Sequence, residues 1–282
     1  MTGLIVEGGA SRTYYAVGVM DALMENNIHI DYINGASAGI SNAMNYASKQ
    51  KGRGIRIALT YLPKKRYSGF IHLLNPFNRS LYNINYVFKK IPNKLDLYDY
   101  DALRRFSGMA EAAVTNVETG EAEYIKITPD DKTWSTLVAS CSLPIVFPIA
   151  KIGGKKYLDG GVADSVPFKR AINMGCDKII VILSRERSYT KTPGKEERLT
   201  SKFFKKYPEF IKTMSNRSNM YNTQRNDLFE LEKEGKAFIF EPEDTTSWSR
   251  TEKRPEMVKA MYEEGYKAGI NRINELKKYI EE

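Results

Sequence analysis

Gly35-Ala36-Ser37-Ala38-Gly39 decides how this 282-residue chain is read. A strand-like run ending Asp31-Tyr32-Ile33-Asn34 leads into it, and a helix-like run beginning Ile40-Ser41-Asn42-Ala43-Met44 leaves it. G-x-S-x-G between strand and helix is the pattern of a nucleophile elbow, a turn sharp enough to lift a serine hydroxyl clear of the sheet. Gly35 and Gly39 tolerate the backbone angles such a turn demands, and the helix N-terminus beneath Ser37 favours negative charge. Taken alone, the segment is equally compatible with a small-residue turn carrying an idle serine, so its surroundings must decide.

Working outward, Leu4-Ile5-Val6 is a short apolar strand, followed by the small-residue loop Gly8-Gly9-Ala10-Ser11-Arg12. A helix is predicted from Tyr14 to about Asn26, with Ala16, Val17, Met20, Leu23 and Met24 at helical spacing. Strand, helix, strand, helix from the first residues predicts a sheet covered by helices. A short helical piece follows over Ile55 to Tyr61. From Pro63 to Pro92 the chain turns aromatic and basic: Tyr67, Phe70, Phe77, Tyr82, Tyr86 and Phe88 alternate with Lys64, Lys65, Arg66, Arg79, Lys89 and Lys90. This stretch reads as a helical excursion packed on the sheet, or as a lid or membrane-facing cap, since such side chains suit a lipid headgroup interface.

Met109–Asn116 and Glu121–Thr128 form a hairpin, and Thr133–Ser142 a small-residue helix stopped by Pro144. Gly153-Gly154 turns Ile149–Ile152 back on Lys156–Leu158, which runs into Asp159-Gly160-Gly161. A helix over Pro167–Met174 and a buried strand at Lys178–Leu183 come next. Arg185–Leu199 is polar and reads as a mobile surface loop. Helices are predicted over Lys202–Met214 and Arg217–Glu234, a strand over Lys236–Phe240, and a closing helix over Glu256–Ile280. One domain over 1–282 is the simplest organisation, with a core of about 3–185, the excursion at 63–92, and a helical C-terminal part from about 200.

Hydrophobic content of 42% and charged content of 27% are ordinary for a soluble globular protein. No apolar run approaches the roughly 20 residues that cross a bilayer, and residues 1–7 read as a first strand, not a secretory signal. Two cysteines, Cys141 and Cys176, make neither a disulfide framework nor a metal cluster, so a cytoplasmic protein without metal or cofactor is expected. The formal net charge of +9 draws anionic partners. No nucleic-acid motif accompanies it, and peripheral contact with an anionic membrane is the alternative.

A serine nucleophile needs a base and donors for the oxyanion. The two histidines, His29 and His72, stand where a Ser-Asp-His order cannot use them, because the histidine should follow the acid. A carboxylate acting directly on the serine is the alternative, made basic by burial. Asp159 is the first candidate, since Gly160 and Gly161 permit a close approach, and Asp164 is the second. Gly8, Gly9 and Ala10 can present N–H groups to an oxyanion. Their spacing fits neither G-x-G-x-x-G nor a P-loop. Arg12 could steady the loop or meet a phosphate.

Gly-Gly-x-x-Arg (Gly8, Gly9, Arg12), G-x-S-x-G and Asp-Gly-Gly, in that order, resemble the patatin-like phospholipases. Ser48–Arg53 after the elbow helix, and Ser142-Leu143-Pro144 with Pro148, add to the likeness, which covers about residues 3–185. It implies an α/β fold, a three-layer α/β/α sandwich around a mostly parallel sheet. It also implies a metal-free Ser-Asp dyad hydrolysing phospholipid or lysophospholipid acyl esters. Ser37 would be the nucleophile, Asp159 the base, and Gly8 to Arg12 the oxyanion and substrate loop. Two positions depart from the family: Ala10 where a third glycine is common, and Thr13 where a glycine follows the arginine. Because alanine restricts the backbone, a catalytically weak lipid- or anion-binding protein on the same fold is the competing expectation.

Overall fold

In the first strand, β1 (Thr2–Val6), successive side chains point to opposite faces, and both faces are buried. Leu4 and Val6 pack in one core with Ile33, Ile182 and Phe240, whereas Ile5 packs in another with Val181 and Ile239. A strand covered on both sides belongs inside a sheet sandwiched by helices. The computed structural model describes residues 1–74 and 79–282.

The other strands are β2 (Tyr32–Ala36), β3 (Met109–Asn116), β4 (Ala122–Lys126), β5 (Ala150–Ile152), β6 (Lys155–Asp159), β7 (Lys178–Ile182) and β8 (Ala237–Phe240). Their order is β5-β6-β3-β2-β1-β7-β8, with β4 also paired to β3. The run from β3 to β8 is parallel, β4 and β6 pair antiparallel with β3, and β5 pairs antiparallel with β6. The expected mostly parallel α/β architecture is therefore present.

The helices are α1 (Tyr14–Glu25), α2 (Ala38–Ala47), α3 (Arg53–Tyr61), α4 (Tyr100–Arg105), α5 (Ser135–Ser140), α6 (Phe168–Asn173), α7 (Lys195–Phe203), α8 (Pro208–Lys233), α9 (Pro255–Asn271) and α10 (Ile273–Glu281). Residues of α1, α2, α9 and α10 fill the core on one face of the sheet, and residues of α6 and α8 the core on the other. β8 extends the parallel sheet beside β7, and α9 packs along α1.

The C-terminal helices differ from expectation. Of the two helices expected over Lys202–Met214 and Arg217–Glu234, the first is broken after Phe203, and its remainder joins the second across Ser215-Asn216 in the single 26-residue α8. Ser215 bonds its hydroxyl to the Ile211 carbonyl one turn back, so it is satisfied inside the helix and does not end it. Pro208 opens α8, at the position where a missing N–H costs nothing. Part of the expected loop after Arg185 is α7, begun where the Glu197 carboxylate accepts from the Gly194 N–H at 3.0 Å. The closing helix breaks at Arg272, whose guanidinium donates to the Ile239 carbonyl at 2.6 Å.

One feature of the sheet positions the site. β3 has eight residues; its first five carry β2, with Ala36 opposite Ala113, and its last three carry β6, with Asp159 opposite Val114. Amides alternate in direction along a strand. Those of Met109 and Val117 point the same way and donate to Asp31 and Lys156, each at 2.9 Å, while Asn116 donates to Glu121 on the β4 side. β2 and β6 thus share one edge of β3 and abut end to end.

Candidate active site

Ser37 is the first residue beyond β2, and its backbone, at φ 54° and ψ −132°, lies where L-residues are strained. Its N–H donates to Ser140 Oγ at 2.9 Å, and that hydroxyl donates to the Ala113 carbonyl at 2.7 Å, tying the elbow to β3. The flanking glycines are required by space. A Cβ on Gly35 would stand 2.4 Å from the Val6 carbonyl oxygen, and one on Gly39 equally close to Val6 and 2.5 Å from the Glu7 oxygen.

Asp159 ends β6 next to this turn. Its N–H donates to Ser142 O, its carbonyl accepts from Thr115 Oγ1, and its Oδ1 accepts from the Gly161 N–H, each at 2.8 Å. Gly160 lets the turn lie on β3, since a Cβ there would be 2.1 Å from the Ala113 oxygen. Asp159 Oδ2 is buried with no hydrogen-bond partner. Burial pushes the carboxyl above its ordinary range, opposed by the nearby Ser37 hydroxyl, the charge of Arg217 and the Gly161 amide. Asp164, the second candidate, is also buried, but both its oxygens are occupied, by Tyr124 Oη and Gln224 Nε2 at 2.6 Å. It lines neither cavity at Ser37. His29 pairs with Asp31 and His72 bonds the Lys65 carbonyl, both on the exposed surface.

The loop after β1 faces the same point. The amides of Gly8, Gly9 and Ala10 donate to no other group among the described residues. Ala10 has φ 51°, the left-handed region that favours glycine, so the alanine holds this conformation at the cost of local strain. Thr13, the other departure, is buried, and its hydroxyl donates to the Ala10 carbonyl at 2.7 Å, bracing that conformation. The Ser11 hydroxyl is occupied by the Glu252 carbonyl at 2.8 Å, which makes Ser11 an anchor of the loop. Arg12 donates through Nε to the Trp248 carbonyl at 3.3 Å and lines the cavity.

Two cavities meet at Ser37. One is apolar and walled by Tyr14, Met44, Leu62, Trp134, Leu137 and Phe147, with Tyr67, Tyr82, Val87, Phe88, Ile91 and Pro92 supplied by the aromatic excursion. That excursion therefore roofs the cavity; its Phe77 lies outside the described residues. The other cavity is polar and holds Asp159, the Gly8–Ala10 loop and several cations. Sequence reasoning missed Ser140, which braces the elbow, and Cys141, whose thiol lies 3.3 Å from Ser41 Oγ and is pushed up to about 12 by burial. It also missed Arg217, which donates to the Gly161 carbonyl at 2.8 Å across the Asp159 turn. Arg217 sits in a mostly polar helix, where nothing local marks it as buried.

An α/β/α sandwich carries an elbow serine at the end of one strand and a buried aspartate at the end of another. The model of the patatin-like phospholipases matches residues 4–172, and the chain belongs to that family. Residues 207–281 match a second family model, described only as a domain of unknown function, DUF6363. The chain is similar to the uncharacterized protein YjjU of Escherichia coli, at 23% identity over 67% of this chain and 54% of that protein. Lysophospholipase NTE1 of Meyerozyma guilliermondii is 28% identical over 64% of the chain and 12% of its own length. Mouse 1-acylglycerol-3-phosphate O-acyltransferase Pnpla3 is 31% identical over 55% and 38%. The chain thus spans about half of YjjU and a small part of the lysophospholipase. VipD of Legionella pneumophila aligns over 97% of this chain and 67% of its own, with 12% identity and a TM-score of 0.47.

Proposed function

We propose that this protein hydrolyses acyl esters of phospholipids or lysophospholipids with Ser37 as nucleophile and Asp159 as base. The observation that carries the reading is the meeting of Ser37 with a buried carboxylate whose Oδ2 has no other partner, where β2 abuts β6. The acyl chain would occupy the apolar cavity, with its carbonyl at Ser37. Ser37 Oγ attacks the carbonyl carbon as its proton passes to Asp159 Oδ2, and the unbonded amides of Gly8–Ala10 receive the developing oxyanion. The proton then goes to the leaving alkoxide and the C–O bond breaks; water, deprotonated by Asp159, attacks the acyl carbon, and that proton passes to Ser37 Oγ as the fatty acid leaves.

The surface supports working at a lipid interface. Phe70 and Leu74 are each 82% exposed and Ile71 71%, on the 3-10 helix Phe70–Leu74 that follows Tyr67 of the cavity roof. Lys64, Lys65 and Arg66 are exposed beside them in the chain. Apolar side chains flanked by cations are suited to insert between anionic headgroups. The hydrolase reading is tested by Ser37→Ala, which should lose hydrolysis of both p-nitrophenyl and lysophospholipid esters by at least about a thousandfold and no longer react with a fluorophosphonate probe. Retained turnover in that variant refutes it.

A further inference from the structure

The polar cavity at Ser37 carries more positive charge than the dyad chemistry needs. Five cationic side chains line it, Arg12, Arg185, Lys191, Arg217 and Arg250, against two carboxylates, Glu7 and Asp159. Glu7 is already held by Tyr221 Oη and the Ser184 N–H, each at 2.7 Å. Glu196 approaches the cluster from outside the cavity, bonding Arg250 at 2.7 Å and Arg217 at 3.5 Å. Lys191 has no anionic partner among the described residues; its ammonium stands 4.9 Å from the Tyr221 ring centroid. Arg185 Nε is buried without a partner, and its Nη1 donates only to the neutral Thr245, at 2.6 Å to the hydroxyl. Unpaired cations in a recess are costly unless an anion joins them.

We infer that this cavity receives the phosphate of the substrate headgroup, selecting phosphomonoester lysolipids over zwitterionic ones. The inference rests on the hydrolase reading and deepens it. With the acyl chain in the apolar cavity and its ester at Ser37, the glycerol phosphate emerges on the cationic side. Lys191 and Arg250 recognise it; Arg217 also positions the Asp159 turn through Gly161. The cations come from separate parts of the chain: Arg12 from the β1–α1 loop, Arg185 and Lys191 from the segment after β7, Arg217 from α8 and Arg250 from the approach to α9. Arg217 and Arg250 fall within residues 207–281, which gives that C-terminal stretch a role in choosing the substrate. The charges press on one another: Lys191 is brought down to about 8 by burial and Arg217, and Arg12 to about 10 by burial, Arg185 and Arg250. A bound dianion would relieve both.

The test uses the full chain with a single-acyl lysophosphatidate, the lysophosphatidylcholine of the same acyl chain, and p-nitrophenyl butyrate. In wild type, kcat/KM should favour the lysophosphatidate. Lys191→Gln and Arg250→Gln should each lower that value about tenfold more than they lower the value for p-nitrophenyl butyrate. Lys191→Arg should keep the preference, and the remote surface change Lys278→Gln should leave it untouched. Equal losses on all three esters, or no wild-type preference for the phosphomonoester, overturn the inference. Calorimetry on Ser37→Ala separates it from the hydrolase reading: lysophosphatidate should bind there, and about tenfold more weakly once Lys191→Gln is added. Inorganic phosphate is titrated in parallel; binding as tight as that of the lysolipid would show a free-anion site and also overturn the headgroup assignment.

Discussion

Asp159, the base proposed above, shows what burying a single carboxylate costs in stability. Its side chain is buried, one oxygen has no partner, and its pKa is raised chiefly by burial. A raised folded-state pKa means that the native state binds the proton more tightly than the unfolded chain does. Stability is therefore fully present below the ordinary carboxylate range and is lost as pH rises through the folded-state pKa. Asp159→Asn keeps an oxygen for the Gly161 N–H and removes the buried charge. It should abolish ester hydrolysis yet melt at a higher temperature than wild type at pH 7, with the gap closing as the pH falls through the raised folded-state pKa and gone below about 4. Equal melting temperatures at both pH values would contradict this. In wild type, the acid limb of the pH dependence of kcat/KM should lie above that of an ordinary aspartate, because the base must be ionised to act.

At the scale of elements, the elbow depends on how closely α2 approaches β1. A Cβ on Gly39 would meet backbone oxygens of both Val6 and Glu7 at 2.5 Å or less, and backbone cannot rotate aside as a side chain can. Gly39→Ala should cost about 1–3 kcal/mol of stability by overpacking and displace Ser37, lowering kcat far more than it raises KM; urea unfolding and initial rates report the two effects. The elbow, the loop after β1 and the Asp-Gly-Gly turn were legible because each is a local run of small residues with few other uses. Asp159 could be ranked above Asp164 only by its glycines, whereas the structure separates them by partners: Asp164 is doubly bonded and Asp159 is not. Arg217, Lys191 and Arg250 were illegible, since a cation that reaches a cavity across the fold has the same local sequence as one in solvent. Ser215-Asn216 misled for the opposite reason: polar residues that resembled a helix end lie on the open face of α8.

For the whole molecule, the exposed Phe70, Ile71 and Leu74 lie on a 3-10 helix that continues from the roof of the apolar cavity. Replacing all three with serine should weaken sedimentation with anionic vesicles by at least about a hundredfold, since each inserted side chain contributes roughly 1.5–3 kcal/mol. Turnover of a soluble short-chain ester should stay within about twofold, because these side chains wall neither cavity. Undiminished vesicle binding would assign membrane contact to another surface. The N-terminal and C-terminal parts are joined through the sheet, β8 lying beside β7, and through the Tyr221–Glu7 bond below the cavity. Along β3, the C-terminal ends of two strands meet head on, so the gap between alcohol and acid is counted in residues of one backbone. It does not depend on the length of the connections that lead there. Stretch 48–108 is therefore free to grow, shrink or acquire new walls without altering that gap, whereas 117–154 carries Ser140 and Ser142, which brace the elbow and Asp159. Substrate range and chemical competence are separable under selection in such a chain: the first can drift with the connections, while the second is fixed by the few β3 residues around Ala113 and Val114.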